Sequence, residues 1–219
     1  MRPADEITDA FEAARTAGRI AFRYGFRPLG PYPAALARGL LGAVARRLGV
    51  ARPDLDESMT ARGVMELDPP RFMMDFGHFA VLGSDGRQWS GRSGRPLASL
   101  PSRPASHLNP LWLVALAAGA GAVAETGDAE IEGARCRCLT ATVDLDLART
   151  RAAIDLATPR ATEPSLQRAE FCIDVSGLLR RVRVGDGSTQ SQVELTRYAI
   201  EDEPPLDWGR LPSFEGGFP

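Results

Sequence analysis

From residue 60 onward, apolar side chains recur at every second position in short runs closed by tight turns, and that pattern confines the chain to an antiparallel sheet. Gly63, Met65 and Leu67 alternate with Arg62, Val64 and Glu66, and Phe72, Met74 and Phe76 line one face of the next run. A period of two is that of a strand with one face turned to a core. Gly83-Ser-Asp-Gly86 carries the Asp-Gly hairpin signal, and Arg87 to Trp89 begins the return strand. Between Ala134 and Asp146, Leu139, Ala141, Val143 and Leu145 share one face, while Cys136, Cys138, Thr140, Thr142 and Asp144 share the other. A hairpin follows over 169–184, with Phe171, Ile173 and Val175 alternating and Asp174-Val-Ser-Gly177 at the bend. Gly185-Asp-Gly-Ser188 turns into a last strand at 191–198 with Val193 and Leu195 inward, and Arg19 to Phe26 supplies a first strand. Strands joined by short hairpins pair antiparallel and do not build βαβ units.

Helical periodicity appears in four places. Residues 5–17 place Ile7, Ala10, Phe11 and Ala14 on one face, with Asp5 as the expected cap. After Pro31-Tyr-Pro33, a segment to Leu48 carries the stripe Leu36, Leu40, Leu41, Val44 and Leu48. It reads as a lid or insertion packed on the sheet, with a membrane-surface helix as the alternative. Asn109-Pro110 is a cap followed by a first-turn Pro, and the predicted helix body 111–124 has no polar face. Such a helix must be covered on most sides or line an apolar cavity. A short helix is expected over 147–156, a Ser/Pro/Arg-rich loop over 90–107 and an irregular tail over 201–219. The 219 residues suit one domain, 1–219.

Composition removes several chemistries. The net charge is −2, so nucleic acid is not an expected partner. No Lys occurs anywhere, which excludes Schiff-base chemistry and a P-loop. Zinc needs about four ligands, and with only His78 and His107 besides three Cys, no metal site is expected. Cys136 and Cys138 share a strand face, where neighbouring positions suit a disulfide poorly, and with Cys172 they read as small structural residues. The stretch from Gly119 to Ala124 matches G-x-G-x-x-A, yet a capped helix precedes it where a dinucleotide fingerprint needs a strand. GRSGR is not a nucleophile elbow. The arginines 87, 92, 95 and 103 read as a solvated loop, with a phosphate headgroup as the alternative. No catalytic residue, metal or cofactor is assigned. The N-terminus lacks a leader pattern and 111–124 is too short to cross a bilayer, so a soluble cytoplasmic protein is expected.

The order of these segments resembles the LppX and LprG group, the actinobacterial branch of the LolA-like lipoprotein-carrier fold. The matching segments are ARGVMEL with RFMMDF, the hairpin FAVLGSDGRQWSG and the helix NPLWLVALAAG. RCRCLTATVDL, FCIDVSGLLRRVRV and SQVELTRYAIEDEPP follow, so the likeness spans roughly 60–205, with 11–26 filling the first helix and strand. The resemblance implies an α+β fold: a curved antiparallel sheet, an open half-barrel, with helices covering its concave face. It also implies carriage of acylated lipids and no catalytic residues. Two departures stand out: no signal peptide or lipidated Cys, and the helix at 31–48. The expected function is binding of a hydrophobic, lipid-like ligand. Its contacts would be Met65, Phe72, Met74, Phe76, Trp89, Trp112, Leu116, Leu139, Val143, Phe171, Ile173 and Leu195. A cyclase-like biosynthetic enzyme using Asp144, His78 and Tyr198 in the same cavity is the rival. A module gripping a partner helix is the third reading, and transient membrane or partner-protein contact is compatible with the first.

Overall fold

A computed structural model describes residues 2–28, 59–76, 80–84, 87–91, 98–99, 109–152, 166–185 and 189–199. Among these residues eleven strands form one sheet: β1 Arg19–Pro28, β2 Met59–Leu67, β3 Pro70–Asp75, β4 Ala80–Ser84, β5 Arg87–Gly91, β6 Ala98–Ser99, β7 Ala120–Ile131, β8 Ala134–Asp144, β9 Leu166–Asp174, β10 Leu179–Gly185 and β11 Thr189–Arg197. Their order is β6-β5-β4-β3-β2-β1-β11-β10-β9-β8-β7, and every pairing is antiparallel. β1 is thus the seam between two meanders, and the sheet stays open with β6 and β7 at its edges. The expected α+β class and open antiparallel sheet are both present.

The helices are α1 Pro3–Thr16, α2 Pro110–Ala115 and α3 Leu145–Ala152, with a 3-10 turn at Leu116–Gly119 after α2. α1 buries Ile7, Ala10, Phe11 and Ala14, the stripe read from its period. Burying Phe11 and Ile7 contributes about 1.5–3 kcal/mol each. α1 lies on β2, β7, β9 and β10, and α2 lies on β2, β3, β10 and β11, so both cover one side of the sheet, the helix side. Arg137 on β8 ties α1 down through Glu6 at 3.0 Å. Cross-strand pairing keeps faces consistent on both sides of β1: Phe22 faces Leu195 of β11, while Ile20 faces Met65 and Met65 faces Phe72. Phe72 leans over Gly83 of β4, where a Cβ would stand 2.1 Å from its ring, so only glycine leaves room.

Three expectations need correction. Asp5 is not the cap of α1; the capping position is Arg2, without a side-chain cap, and Arg2 Nε donates to Asp5 at 3.2 Å. The apolar stretch 111–124 is not one helix. It holds α2, the 3-10 turn and the first residues of β7. With no polar residue to mark a face, its period cannot distinguish helix from buried strand. Gly119 marks the break: a Cβ there would stand 2.3 Å from the Asp144 carbonyl oxygen and 2.8 Å from Ala148 Cβ, because α3 sits directly on it. That contact explains the glycine without a nucleotide. The third helix begins at Leu145 rather than 147, capped by Asp144, whose carboxylate accepts from the amides of Asp146 at 2.9 Å and Leu147 at 3.0 Å. The lid at 31–48, the tail at 201–219, most of the 90–107 loop, His78 and His107 lie outside the described residues.

Candidate functional site

Ten of the twelve expected ligand contacts meet in one buried cluster on the helix side: Met65, Phe72, Met74, Trp112, Leu116, Leu139, Val143, Phe171, Ile173 and Leu195. Phe76 packs against its rim, edge-on to Tyr24 with ring centroids 6.3 Å apart. Trp89 does not join them. It pairs with Leu82, Leu82 with Met73 and Met73 with Val64, a row on the opposite side of the sheet from Phe72 and Met74. On a strand, neighbouring residues point to opposite sides, and in this register Gln88, not Trp89, faces the helices.

α2 enters this layer through its cap. Asn109 Oδ1 accepts from the amides of Leu111 at 3.0 Å and Trp112 at 3.4 Å. Every residue from Pro110 to Gly119 is buried. Among the described residues, three buried polar side chains belong to the helix side: Tyr24, Ser191 and Gln88. Burial drives the Tyr24 phenol far above its ordinary pKa, a push that the Ser191 hydroxyl partly offsets, so it stays neutral. Of the residues an enzyme would have used, Asp144 is exposed and spent on the α3 cap. Tyr198 donates its hydroxyl to the Leu179 carbonyl beneath the Arg180 guanidinium, 5.5 Å from the ring centroid, and burial raises its pKa. Neither offers a free acid or base to the helix-side layer.

Besides the Trp89 row and a small buried cluster of Ile131, Cys136, Cys138 and Cys172, the opposite side carries ion pairs. Glu66 receives Arg19 Nε at 3.3 Å and Arg71 Nε at 2.7 Å, and Asp174 receives Arg180 Nε at 2.6 Å. Glu132, in the β7–β8 turn, pairs with Arg23 of β1. An open cleft of about 610 Å³ crosses β1, β2 and β3 beside β11 between Arg23, Arg62, Asp75 and Glu194. A second, of about 500 Å³, lies where the first turn of α1 meets Gly121, Val123 and Arg151. Sequence reasoning missed a disulfide between Cys138 on β8 and Cys172 on β9; Cys136 is a buried free thiol.

No protein-family model and no curated protein matches the chain. Among solved structures, the lipoprotein LppX of Mycobacterium tuberculosis is similar over 91% of this chain and 96% of its own, at 15% identity and a TM-score of 0.52. The fold is of the LppX type. LprF from Mycobacterium bovis matches over 92% of this chain and 95% of its own, at 12% identity and a TM-score of 0.47. An outer membrane lipoprotein-sorting protein domain from Vibrio parahaemolyticus matches over 91% and 95%, at 10% identity and a TM-score of 0.31. At this identity the likeness to LppX is one of fold, and it rests on the same open antiparallel sheet read from the hairpin pattern.

Proposed function

We propose that the protein is a non-catalytic carrier of a hydrophobic, lipid-like ligand held between the helices and the sheet. The observation that carries this reading is the make-up of the helix-side layer. Across β1 to β3 and β8 to β11 its side chains are almost entirely apolar, and the segment from Pro110 to Gly119 adds ten buried residues without one polar side chain. Such a layer has little with which to hydrogen-bond a polar substrate, but it solvates a hydrocarbon chain well. Met65 and Met74 adapt to differing chain shapes because their thioethers rotate freely.

The energetics suit a carrier. About sixteen buried methylenes at ~0.8 kcal/mol each give roughly 13 kcal/mol gross. Losses of ~4–15 kcal/mol on association leave a modest remainder, so loading stays reversible. Protein purified from several hosts and examined by native mass spectrometry is expected to carry a chloroform-extractable adduct. A homogeneous unliganded mass, with no response to fluorescent fatty-acid probes, would refute the reading.

A further inference from the structure

The side of the sheet away from the helices holds a group of side chains for which lipid carriage has no use. Three rungs of the β8–β9 ladder stack there: Cys136 opposite Asp174, Cys138 opposite Cys172, and Thr140 opposite Glu170. Arg181 on β10 sits opposite Cys172, and its Nη2 lies 3.3 Å from Cys172 Sγ, 3.9 Å from Cys138 Sγ and 3.2 Å from Glu170 Oε1. The two sulfurs and the Glu170 carboxylate fall within 4.8 Å of one another, the spacing of a soft-metal site. The guanidinium already supplies the cation, which argues against a metal. Arg181 also keeps its Nε buried without a partner. A neutral disulfide gains little from a guanidinium at this distance, whereas a thiolate gains a charge-assisted hydrogen bond.

The two sulfurs are not equivalent. Cys172 is fully buried, while Cys138 retains 5% exposure. We propose that Cys138–Cys172 is a reversible thiol-exchange site, opened at Cys138 by a low-molecular-weight dithiol and served by Arg181, rather than a permanent cross-link. One thiolate of the dithiol bonds to Cys138 Sγ, and the Cys138–Cys172 bond breaks with its electron pair passing to Cys172 Sγ, beside Arg181. The second thiolate then attacks the reductant's own sulfur in the mixed disulfide. A cyclic disulfide departs, and Cys138 leaves as a thiolate that takes a proton from solvent. Two electrons pass from dithiol to protein. Of the dithiol's two protons one ends on Cys138 and one in solvent, because Cys172 remains a thiolate. A stabilised leaving thiolate makes the first step faster. Cys136 is no part of this exchange: burial and the neighbouring Asp174 raise its thiol pKa.

The test titrates the folded full chain with mixtures of reduced and oxidised dithiothreitol, quenches with an alkylating mass tag and maps the tagged cysteines. Cys138 and Cys172 are expected to become tagged together and reversibly, while the far-ultraviolet dichroism stays unchanged. Thiolate absorbance of the reduced pair should titrate well below the ordinary thiol value of about 8.5. Arg181→Gln should slow reduction about tenfold and move that midpoint up, with Arg181→Lys restoring most of the loss. Should Arg181→Gln fail to fold, Glu170→Gln decides. That change removes the nearer of two carboxylates on Arg181, leaving Glu194 at 3.9 Å, and also removes the negative charge 3.8 Å from Cys172 Sγ, so it should lower the midpoint further. Reduction only at the rate of global unfolding overturns the proposal, as does a midpoint indifferent to both positions.

Discussion

Asp174 closes β9, and its carboxylate accepts from the amides of Ser176 at 2.8 Å and Leu178 at 3.0 Å and from Arg180 Nε at 2.6 Å. Burial pushes its pKa up, but Arg180 and the two amides outweigh that and hold it below the usual carboxylate value. A carboxyl depressed in the folded state stabilises above its unfolded pKa of about 3.9, and that stability is lost as pH falls through the folded value. Urea denaturation of Asp174→Asn at neutral pH should therefore show a loss of about 2 kcal/mol, from a buried charged hydrogen-bond set left incomplete. Below about pH 4 the wild type should lose this advantage and its stability curve converge on that of the variant. Curves that run parallel through that range would remove Asp174 from the pH response. The same scale explains the tyrosines: Tyr24 and Tyr198 keep their protons because burial raises both.

At the scale of elements, the short path from Asn109 to Ala120 decides how the second meander joins the first. The Asn109 cap satisfies two of the first amides of α2, and Asn109→Ala should cost about 1 kcal/mol by thermal or chemical denaturation. Gly119 lets α3 rest on the 3-10 turn, and Arg151 secures that contact by donating from Nη1 to the Ala118 carbonyl at 3.3 Å. Gly119→Ala forces a methyl against backbone and should cost roughly 1–3 kcal/mol. Substitution at Trp112 discriminates between ordinary packed core and the proposed ligand-holding layer. In delipidated protein, Trp112→Ala would cost ~3–5 kcal/mol if the space beneath it were ordinary core. A carrier predicts a much smaller loss together with a drop in probe affinity of about tenfold or more. A large stability loss with unchanged binding would make α2 plain core.

At the scale of the whole molecule, the disulfide joins residues 34 apart in sequence. Closing a loop of that length restricts the unfolded chain, so replacing Cys138 and Cys172 together by Ser should lower stability by about 3–4 kcal/mol. Chemical denaturation measures it, and a change under about 1 kcal/mol would mean that strand pairing alone sets the chain's order. Non-local pairing dominates the topology: β1 must find both β2, across residues 29–58, and β11, near the far end of the chain. Pairings of that kind close late and slowly.

Alternation along each strand was legible in the sequence because it is local. The parity of Met65, Phe72 and Met74, of Leu139 and Val143, and of Val193 and Leu195 places each on its face whatever strand lies beside it. The hairpin joining β4 to β5 was legible too, since the Asp-Gly turn signal sets the register between its arms, whereas the hairpin of β7 and β8 was not, because β7 begins inside the uniformly apolar stretch. Pairings made across long connections were not. β8 meets β9 only after α3 and the residues that follow it, so nothing in the sequence told that Cys138 would face Cys172 rather than a neighbour one rung away. The same limit hid the seam at β1 and the Arg181 contact with both sulfurs. The uniformly apolar stretch 111–124 carries no periodic contrast, and the place where helix gives way to strand was decided by α3 packing on Gly119. Local pattern fixed which residues are inside, and the tertiary structure decided which of them meet.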